Sequence, residues 1–161
     1  MTATFRAVEA RDVRFLRKVL VAALLWRPKR RWWPTSALLL FPQLAIFYRG
    51  WGRAGDTGIV AEEDGKRIGI VWYRFFTDES HGEGFVNVST PELVVAVVRD
   101  ARGRGVGRAL MGAIHDRARR DGVRQISLSV DADNPARHLY SALGYRELSE
   151  RPDDDRMLLE L

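Results

Sequence analysis

The residues best suited to chemistry in this chain form a glycine-rich turn, Arg102-Gly103-Arg104-Gly105-Val106-Gly107-Arg108. An apolar run over residues 93–98 precedes the turn, and a pattern typical of a helix follows it to about Asp121. A turn between a buried strand and a helix gathers free backbone N–H groups at the positive end of the helix dipole. Glycines let an anion approach this backbone closely, and the arginines add positive charge. The turn therefore predicts a phosphate-binding site.

Two other kinds of phosphate-binding turn are disfavoured. A P-loop carries Lys and then Ser or Thr after its last glycine, whereas Arg108-Ala109 stand at that place here. A dinucleotide-binding fold has its glycine turn after an early strand, whereas this turn lies late in the chain.

The composition is that of a folded globular protein. The chain has 161 residues, of which 46% are hydrophobic, and we expect a single domain over residues 1–161. It has no cysteine, which excludes disulfides, a thiolate nucleophile and a cysteine metal site, and we expect no metal. Neither a secretory signal nor an apolar stretch long enough to cross a membrane is found, so we expect a cytoplasmic protein without a membrane partner.

The positive charge is concentrated around the glycine turn. The net charge is +5, and residues 99–124 alone carry eight arginines and three aspartates. A second basic cluster, at residues 27–31, is interleaved with Trp26, Trp32 and Trp33, which could stack on nucleic-acid bases. No nucleic-acid motif accompanies this cluster, so a solvated loop is favoured over nucleic-acid binding.

Strand and helix patterns occur along the whole chain. Strands are predicted at residues 4–8, 56–63, 66–76, 93–98, 125–130, 145–148 and 157–161, with a short extended piece at 84–89. Helices are predicted from residue 12 to 24, from the caps Thr35 or Ser36 towards residue 48, at 106–121, and from Asn134-Pro135 to about residue 143. The dipeptide Asp64-Gly65 predicts a tight hairpin between the second and third strands.

Two motifs together resemble the GNAT superfamily of acyl-CoA-dependent N-acyltransferases. They are Arg102-x-x-Gly105-x-Gly107 and, about thirty residues later, Asn134-Pro135-Ala136-x-x-Leu139-Tyr140-x-x-Leu143-Gly144-Tyr145. The resemblance covers about the C-terminal half of the chain. It implies a mixed α/β (α+β) fold with a mostly antiparallel central sheet flanked by helices. It also implies transfer of an acetyl group from acetyl-CoA, the co-substrate, to a primary amine.

The resemblance assigns roles to individual residues. The turn from Arg102 to Arg108 would bind the pyrophosphate of coenzyme A, and the backbone of Val97 and Val98 would pair with its pantetheine arm. Asn134 would lie near that arm, although a plain helix N-cap explains this residue equally well. Tyr140 would donate a proton to the departing sulfur, since a phenol is protonated at neutral pH. Its alternative role is to pack its ring on the core.

Glu92 is the candidate general base, because it stands at the entrance of the apolar strand. Many GNAT members carry this glutamate one residue earlier relative to the glycine turn, where Pro91 stands here. A shift of one residue along a strand turns a side chain to the other face, so the role depends on how the strand begins. Glu79, His81 and Glu83, in the preceding polar loop, are alternative bases.

The sequence leaves three matters open. The acceptor amine is not identified by any motif. A domain that binds acyl-CoA without catalysis is the alternative to an enzyme. Whether the chain forms a homodimer is undecided.

Overall fold

The computed structural model describes residues 3–24, 34 and 41–161, which form a mixed α/β fold around one seven-stranded sheet. The strands are β1 (Thr4–Ala7), β2 (Thr57–Glu63), β3 (Lys66–Arg74), β4 (Glu92–Val97), β5 (Gln125–Ser129), β6 (Arg146–Glu147) and β7 (Arg156–Glu160). The helices are α1 (Val13–Leu24), α2 (Pro42–Ala45), α3 (Val106–Arg120) and α4 (Ala136–Ala142). No helix in the described ranges is long and apolar enough to cross a membrane.

The sheet is mostly antiparallel, which confirms the expected fold class. Its strand order is β1-β2-β3-β4-β5-β7-β6, and β4 and β5 are parallel neighbours. These two strands are in register at Glu92 and Ser127, where the N–H of Ser127 donates to the carbonyl of Pro91 at 3.0 Å. Beyond this point, β3 is the described strand that pairs with β4. The second half of β4 therefore has an open edge where β5 leaves it.

The hairpin predicted between β2 and β3 is confirmed. Asp64 has a φ of 50° and Gly65 a φ of 73°, the left-handed conformations that a two-residue type I′ turn requires. The third strand ends at Arg74, two residues earlier than the pattern predicts.

Two hydrophobic clusters cover the two faces of the sheet. Cluster 1 lies between the sheet and helices α3 and α4, and cluster 2 lies between the sheet and the segment containing α1 and α2. Side chains of β4 alternate between them: Val95 and Val97 pack on cluster 1, whereas Val94 and Ala96 pack on cluster 2. These four side chains are half-buried, not fully buried as the apolar run predicted, because β5 separates from β4 there.

Two predicted segments differ from the structure. Residues 84–89 pair with no strand: turns at residues 84 and 88–89 flank an irregular stretch, and side chains take its backbone groups, since Glu92 accepts the N–H of Gly84 and Arg156 donates to the carbonyl of Phe85. Helix α2 begins at Pro42 and has four residues, a start that suits proline because it lacks an N–H group. The caps Thr35 and Ser36 and the basic tryptophan cluster lie outside the described residues.

Candidate active site

The glycine turn connects β4 to α3 through backbone conformations that favour glycine. Gly103 has a φ of 72° and Gly105 a φ of 81°, and Gly105 directly precedes the helix. A Cβ atom added at either position would meet nothing within 4 Å. The glycines are thus required by the path of the chain, and the space beside them is open to a ligand.

Six consecutive backbone donors of this turn are unpaired. Within the described part of the chain, no acceptor binds the N–H groups of residues 103–108, and the N–H of Ala109 is the first to bond, to the carbonyl of Gly105 at 3.0 Å. These donors stand at the positive end of a helix of 15 residues. The arrangement suits an anion with several oxygens, such as a pyrophosphate.

The three arginines of the turn have different environments. Arg104 is bound to Glu63 of the β2–β3 hairpin, with Nη2 2.6 Å from Oε1. This ion pair lowers the pKa of the Glu63 carboxyl. Arg102 Nε donates to the carbonyl of Val97 at 3.0 Å. Arg108 is exposed and makes no ion pair with any described residue. One of the three cations is therefore partly neutralised before any ligand binds.

The open edge of β4 is formed by Val95 and Val97, and Val98 does not contribute to it. The N–H of Val98 donates to Ile68 of β3 at 2.9 Å, and its carbonyl accepts the N–H of Ala101 at 3.0 Å. Backbone groups alternate along a strand, so Val95 and Val97 direct theirs away from β3. This corrects the expectation for Val98: an extended ligand at this edge would meet Val97 and Val95.

Asn134 stands at the start of α4. Its Oδ1 accepts the N–H of Ala136 at 2.9 Å, which is the capping hydrogen bond the sequence predicts. The helix itself begins at Ala136, one residue later than predicted, and Pro135 directly precedes it. The side-chain NH₂ of Asn134 has no partner among the described residues, so it is available to a ligand.

Helix α4, which carries Tyr140, lies beside the glycine turn at Leu139. A Cβ atom at Gly107 would lie 3.7 Å from Leu139 and 3.7 Å from Val97, so α4, the turn and β4 meet at this point. Tyr140 is 8% exposed and packs in cluster 1. Burial raises its pKa to about 12, and no described residue hydrogen-bonds its hydroxyl. The phenol is thus protonated and unengaged.

Glu92 is buried beneath the loop of residues 77–91. It is 4% exposed; its Oε1 accepts the N–H of Gly84 at 2.8 Å, and its Oε2 has no hydrogen-bond partner within the described ranges. Burial raises the pKa of this carboxyl to about 7, against a smaller lowering by the nearby backbone N–H groups of Gly84 and Gly82. The loop approaches so closely that a Cβ at Gly82 would stand 2.5 Å from Oε2. A buried carboxylate that titrates near neutrality is suited to accept a proton.

The side chain of Glu92 faces cluster 2. It alternates with Leu93 along β4 and lies under Gly82, which also contacts Phe47. Tyr140 belongs to cluster 1 on the other face. The two candidate catalytic groups therefore pack on opposite faces of the sheet.

The alternative bases are less suited to proton abstraction. Glu79, His81 and Glu83 are exposed, and a hydrogen bond from Thr77 lowers the pKa of Glu79. The ring of His81 stacks on Phe85 at 4.3 Å.

Several residues around the site were not predicted from the sequence. Gly82 and Gly84 cover Glu92, and no sequence motif indicated that these glycines lie close to it. Arg74 is fully buried beside Glu92 in the sheet. An arginine within the apolar run of β3 was a visible signal that a buried partner is needed.

Comparisons with known proteins agree with this geometry. A model of the acetyltransferase (GNAT) family matches residues 19–145. The L-2,4-diaminobutyric acid acetyltransferase of Nocardia farcinica is 32% identical over 120 residues, which are 71% of this chain and 54% of that protein. The mycothiol acetyltransferase of Cellulomonas flavigena is 36% identical over 91 residues, which are 54% of this chain and 26% of that protein. The chain thus spans about half the length of the first relative and a quarter of the second.

Solved structures share the fold over the whole chain. The PaiA N-acetyltransferase of Thermoplasma acidophilum, in complex with coenzyme A, superimposes with a TM-score of 0.72 at 14% identity and covers 100% of both chains. YncA of Salmonella typhimurium, solved with acetyl-CoA, has a TM-score of 0.72 at 22% identity and covers 100% of this chain and 95% of its own. Since the family model also matches most of the sequence, the chain belongs to the GNAT acetyltransferase family.

Proposed function

We propose that this protein transfers an acetyl group from acetyl-CoA to a primary amine by direct attack in a ternary complex. The observation that carries the proposal is the row of unpaired N–H groups at residues 103–108, which leads to the open edge of β4. This surface fits coenzyme A: the donors suit its pyrophosphate, and the edge suits its extended, amide-containing arm. When bound, acetyl-CoA supplies the thioester whose carbon–sulfur bond breaks as the amine takes up the acetyl group.

Glu92 accepts a proton from the acceptor in this proposal. An amine enters as an ammonium ion, which must lose a proton before its nitrogen can attack. The unpaired Oε2 of Glu92 is the atom that would accept this proton, directly or through a water molecule. With a pKa of about 7, the carboxylate is ionised in much of the protein near neutral pH and can still hold the proton it receives.

Tyr140 supplies the proton for the leaving sulfur. Its hydroxyl is protonated and engaged by no described residue, and its helix lies beside the glycine turn, where Leu139 would stand 3.7 Å from a Cβ atom at Gly107. The N–H groups of Val95 and Val97 face the open edge, where they can stabilise negative charge on the thioester oxygen. Base and acid thus act from opposite faces of the sheet, so the amine enters on one side and the thiol leaves on the other.

The acceptor we propose is a primary amine with net positive charge. The loop of residues 77–91, which covers Glu92, contains Asp78, Glu79 and Glu83 and no arginine or lysine. A negative loop at the entrance attracts cations and repels anions. The name of the Nocardia farcinica relative, a diaminobutyric acid acetyltransferase, is in line with an acceptor that carries two amino groups.

A thiol-release assay with acetyl-CoA and a panel of amines tests the proposal. We expect release of free coenzyme A thiol with diamines and diamino acids, and less with neutral or acidic amines. Calorimetry with acetyl-CoA measures binding of the coenzyme separately from acetyl transfer. Coenzyme binding without thiol release from any amine would contradict the enzymatic function and favour a non-catalytic acyl-CoA-binding domain. An absence of coenzyme binding would contradict both.

A further inference from the structure

Arg74 and Glu92 are direct cross-strand neighbours that do not form a salt bridge. They are paired in the register of β3 and β4, so their side chains share one face of the sheet, and they are 0% and 4% exposed. Side chains at such positions start about 5 Å apart, and opposite charges placed so normally attract. Yet Oε2 of Glu92 accepts no hydrogen bond from any residue that the structure describes. An arginine within reach of an unpaired buried carboxylate is unusual and requires an explanation.

The guanidinium of Arg74 is fully occupied elsewhere. Nε donates to Oδ1 of Asp56 and Nη2 to Oδ2, both at 2.8 Å. Nη1 donates to the carbonyls of Ile46 at 2.7 Å and Arg49 at 3.0 Å, and Nη2 also donates to Gly50 at 3.3 Å. A guanidinium has five N–H donors, and here all five are used.

Asp56 is itself held in place. Its side chain is 2% exposed, and Oδ2 accepts the backbone N–H groups of Gly52 and Arg53, each at 3.0 Å. The loop that follows α2 therefore fixes a carboxylate at the end of β3, and this carboxylate fixes the arginine in a bidentate pair.

We propose that Asp56 is a positioning residue for the acetyl transfer, because it holds the Arg74 guanidinium away from Glu92 and leaves the Glu92 carboxylate free to accept a proton. This inference rests on the proposed function of Glu92. Asp56 touches no reacting atom and acts through Arg74. An acceptor with a positive charge would then meet a carboxylate that Arg74 does not neutralise.

The consequence for Glu92 follows from its surroundings. Among the described residues, the charged and titratable groups that face it are Arg74 on β3 and His81 and Glu83 in the covering loop. Burial raises the carboxyl pKa to about 7 in the present arrangement. A cation within about 4–6 Å lowers a carboxyl pKa by roughly 1–3 units. Release of Arg74 towards Glu92 would therefore make Glu92 a weaker base.

The test is a titration of the Glu92 carboxyl carbon by NMR, in protein labelled with ¹³C at the glutamate side chains. The signal is assigned as the one missing from Glu92→Gln. In the wild type we expect a midpoint near 7, and in Asp56→Asn a midpoint at least one unit lower. The asparagine keeps an oxygen for the N–H groups of Gly52 and Arg53, which favours folding, but it removes the negative charge and turns an NH₂ donor towards the Nε–H of Arg74, which weakens the hold on the guanidinium. Asp116→Asn, which removes one partner of an exposed pair with Arg119, is the matched control and should leave the midpoint unchanged.

The double variant Asp56→Asn/Arg74→Gln separates positioning from general disruption. It lacks the released cation, so its Glu92 midpoint should return towards the wild-type value. An unchanged midpoint in Asp56→Asn, or a double variant that titrates like Asp56→Asn, would overturn the inference. If Asp56→Asn does not fold, the titration of the wild type still tests the inference. A Glu92 midpoint below 5 in the wild type would show that this carboxylate is already paired with a cation, which would overturn the inference.

The titration does not depend on catalysis, so the two proposals can fail separately. A wild type that releases no thiol but titrates as described would contradict the function and leave the relation of Asp56, Arg74 and Glu92 standing. Thiol release with an unshifted midpoint in Asp56→Asn would contradict only the positioning role. In an active enzyme, kcat/KM should fall at acid pH, and the midpoint of this fall should shift among the variants together with the Glu92 midpoint measured by NMR.

Discussion

Nε2 of His115 lies 2.9 Å from the hydroxyl oxygen of Tyr145. His115 is in the middle of α3 and Tyr145 follows α4, and both side chains are buried. The ring of Tyr145 also lies 5.8 Å from that of Tyr140. Burial, with a smaller contribution from Arg119, lowers the pKa of His115 to about 4. The imidazole is therefore neutral at physiological pH and ties the helix that begins at the glycine turn to the core around Tyr140.

The first prediction is that this histidine makes the fold sensitive to acid. Its pKa is about 4 in the folded protein and 6.5 unperturbed, so the unfolded chain binds an extra proton between these values. The free energy of unfolding is therefore unaffected by His115 above pH 6.5. As the pH falls from 6.5 towards 4, protonation of this residue in the unfolded chain lowers the free energy of unfolding by about 2–3 kcal/mol. Glu92 contributes with the opposite sign over the same interval, so His115→Gln is compared with the wild type: between pH 7 and pH 4.5 its free energy of unfolding should fall by about 2–3 kcal/mol less. Urea unfolding at pH 7 and pH 4.5 measures it.

The matched control for this prediction is His138→Gln, which removes an exposed histidine from α4. It should keep the wild-type difference between the two pH values. A His115→Gln protein with the same difference would show that the buried imidazole is not the group responsible.

The glycine turn could be predicted from the sequence because its structure is local. Gly103 and Gly105 are required by positive φ angles, and the free N–H groups follow from the position of the turn before a helix. The cap made by Asn134 and the hairpin at Asp64-Gly65 also depend on residues close in the chain. Such features are determined by a few residues that are neighbours in the sequence.

The surroundings of Glu92 could not be predicted, because they depend on segments distant in the chain and without periodicity. Gly84 donates to Glu92 from a loop with no strand or helix pattern. The partner of Arg74 is Asp56, 18 residues earlier, although several carboxylates could have paired with this arginine. Sequence patterns indicate that a buried arginine needs a carboxylate, but the register and the loop path decide which one.

The second prediction concerns two glycines at the start and in the middle of α3. Gly105→Ala should reduce the free energy of unfolding by about 1–2 kcal/mol, because an alanine is strained at a φ of 81° although no atom blocks its Cβ. Gly112 is inside the helix, and its Cβ would also meet nothing within 4 Å. Gly112→Ala should therefore stabilise the protein by about 0.5–1 kcal/mol.

Chemical denaturation of both variants checks these opposite signs, and calorimetry with coenzyme A checks the turn. We expect weaker binding for Gly105→Ala and unchanged binding for Gly112→Ala. Equal stability of Gly105→Ala and the wild type would mean that the turn does not need a left-handed residue at this position.

The third prediction is that Glu92 costs stability at neutral and alkaline pH. Its pKa is raised from 4.5 to about 7 in the folded protein, so the folded state binds the extra proton between these values. The folded state is therefore favoured by the protonated carboxyl below pH 4.5, and this contribution to the free energy of unfolding is lost as the pH rises through 7. Glu92→Gln should thus be more stable than the wild type at pH 8 by about 2–3 kcal/mol, and its turnover should be about 10²–10⁴-fold lower.

Thermal or urea unfolding across pH 4 to 8 measures the stability of Glu92→Gln, and thiol release measures its turnover. Glu160→Gln, an exposed carboxylate on β7, is the matched control and should change neither quantity. A Glu92→Gln protein with wild-type turnover would remove Glu92 from the reaction, whatever its stability.

The last prediction separates the hydroxyl of Tyr140 from its ring. No described residue hydrogen-bonds this hydroxyl, so Tyr140→Phe leaves no buried group without a partner and should keep stability within about 1 kcal/mol of the wild type. Turnover should fall by about 10²–10⁴-fold with acetyl-CoA affinity unchanged, as expected for the loss of a general acid. Because burial raises the pKa of Tyr140 to about 12, the wild type should keep this acid protonated up to at least pH 10. Tyr73→Phe is the matched control: it removes the hydroxyl of another buried tyrosine in the same cluster and should keep turnover. If the two variants showed the reverse pattern, Tyr140 would be a packing residue and another group would have to protonate the sulfur.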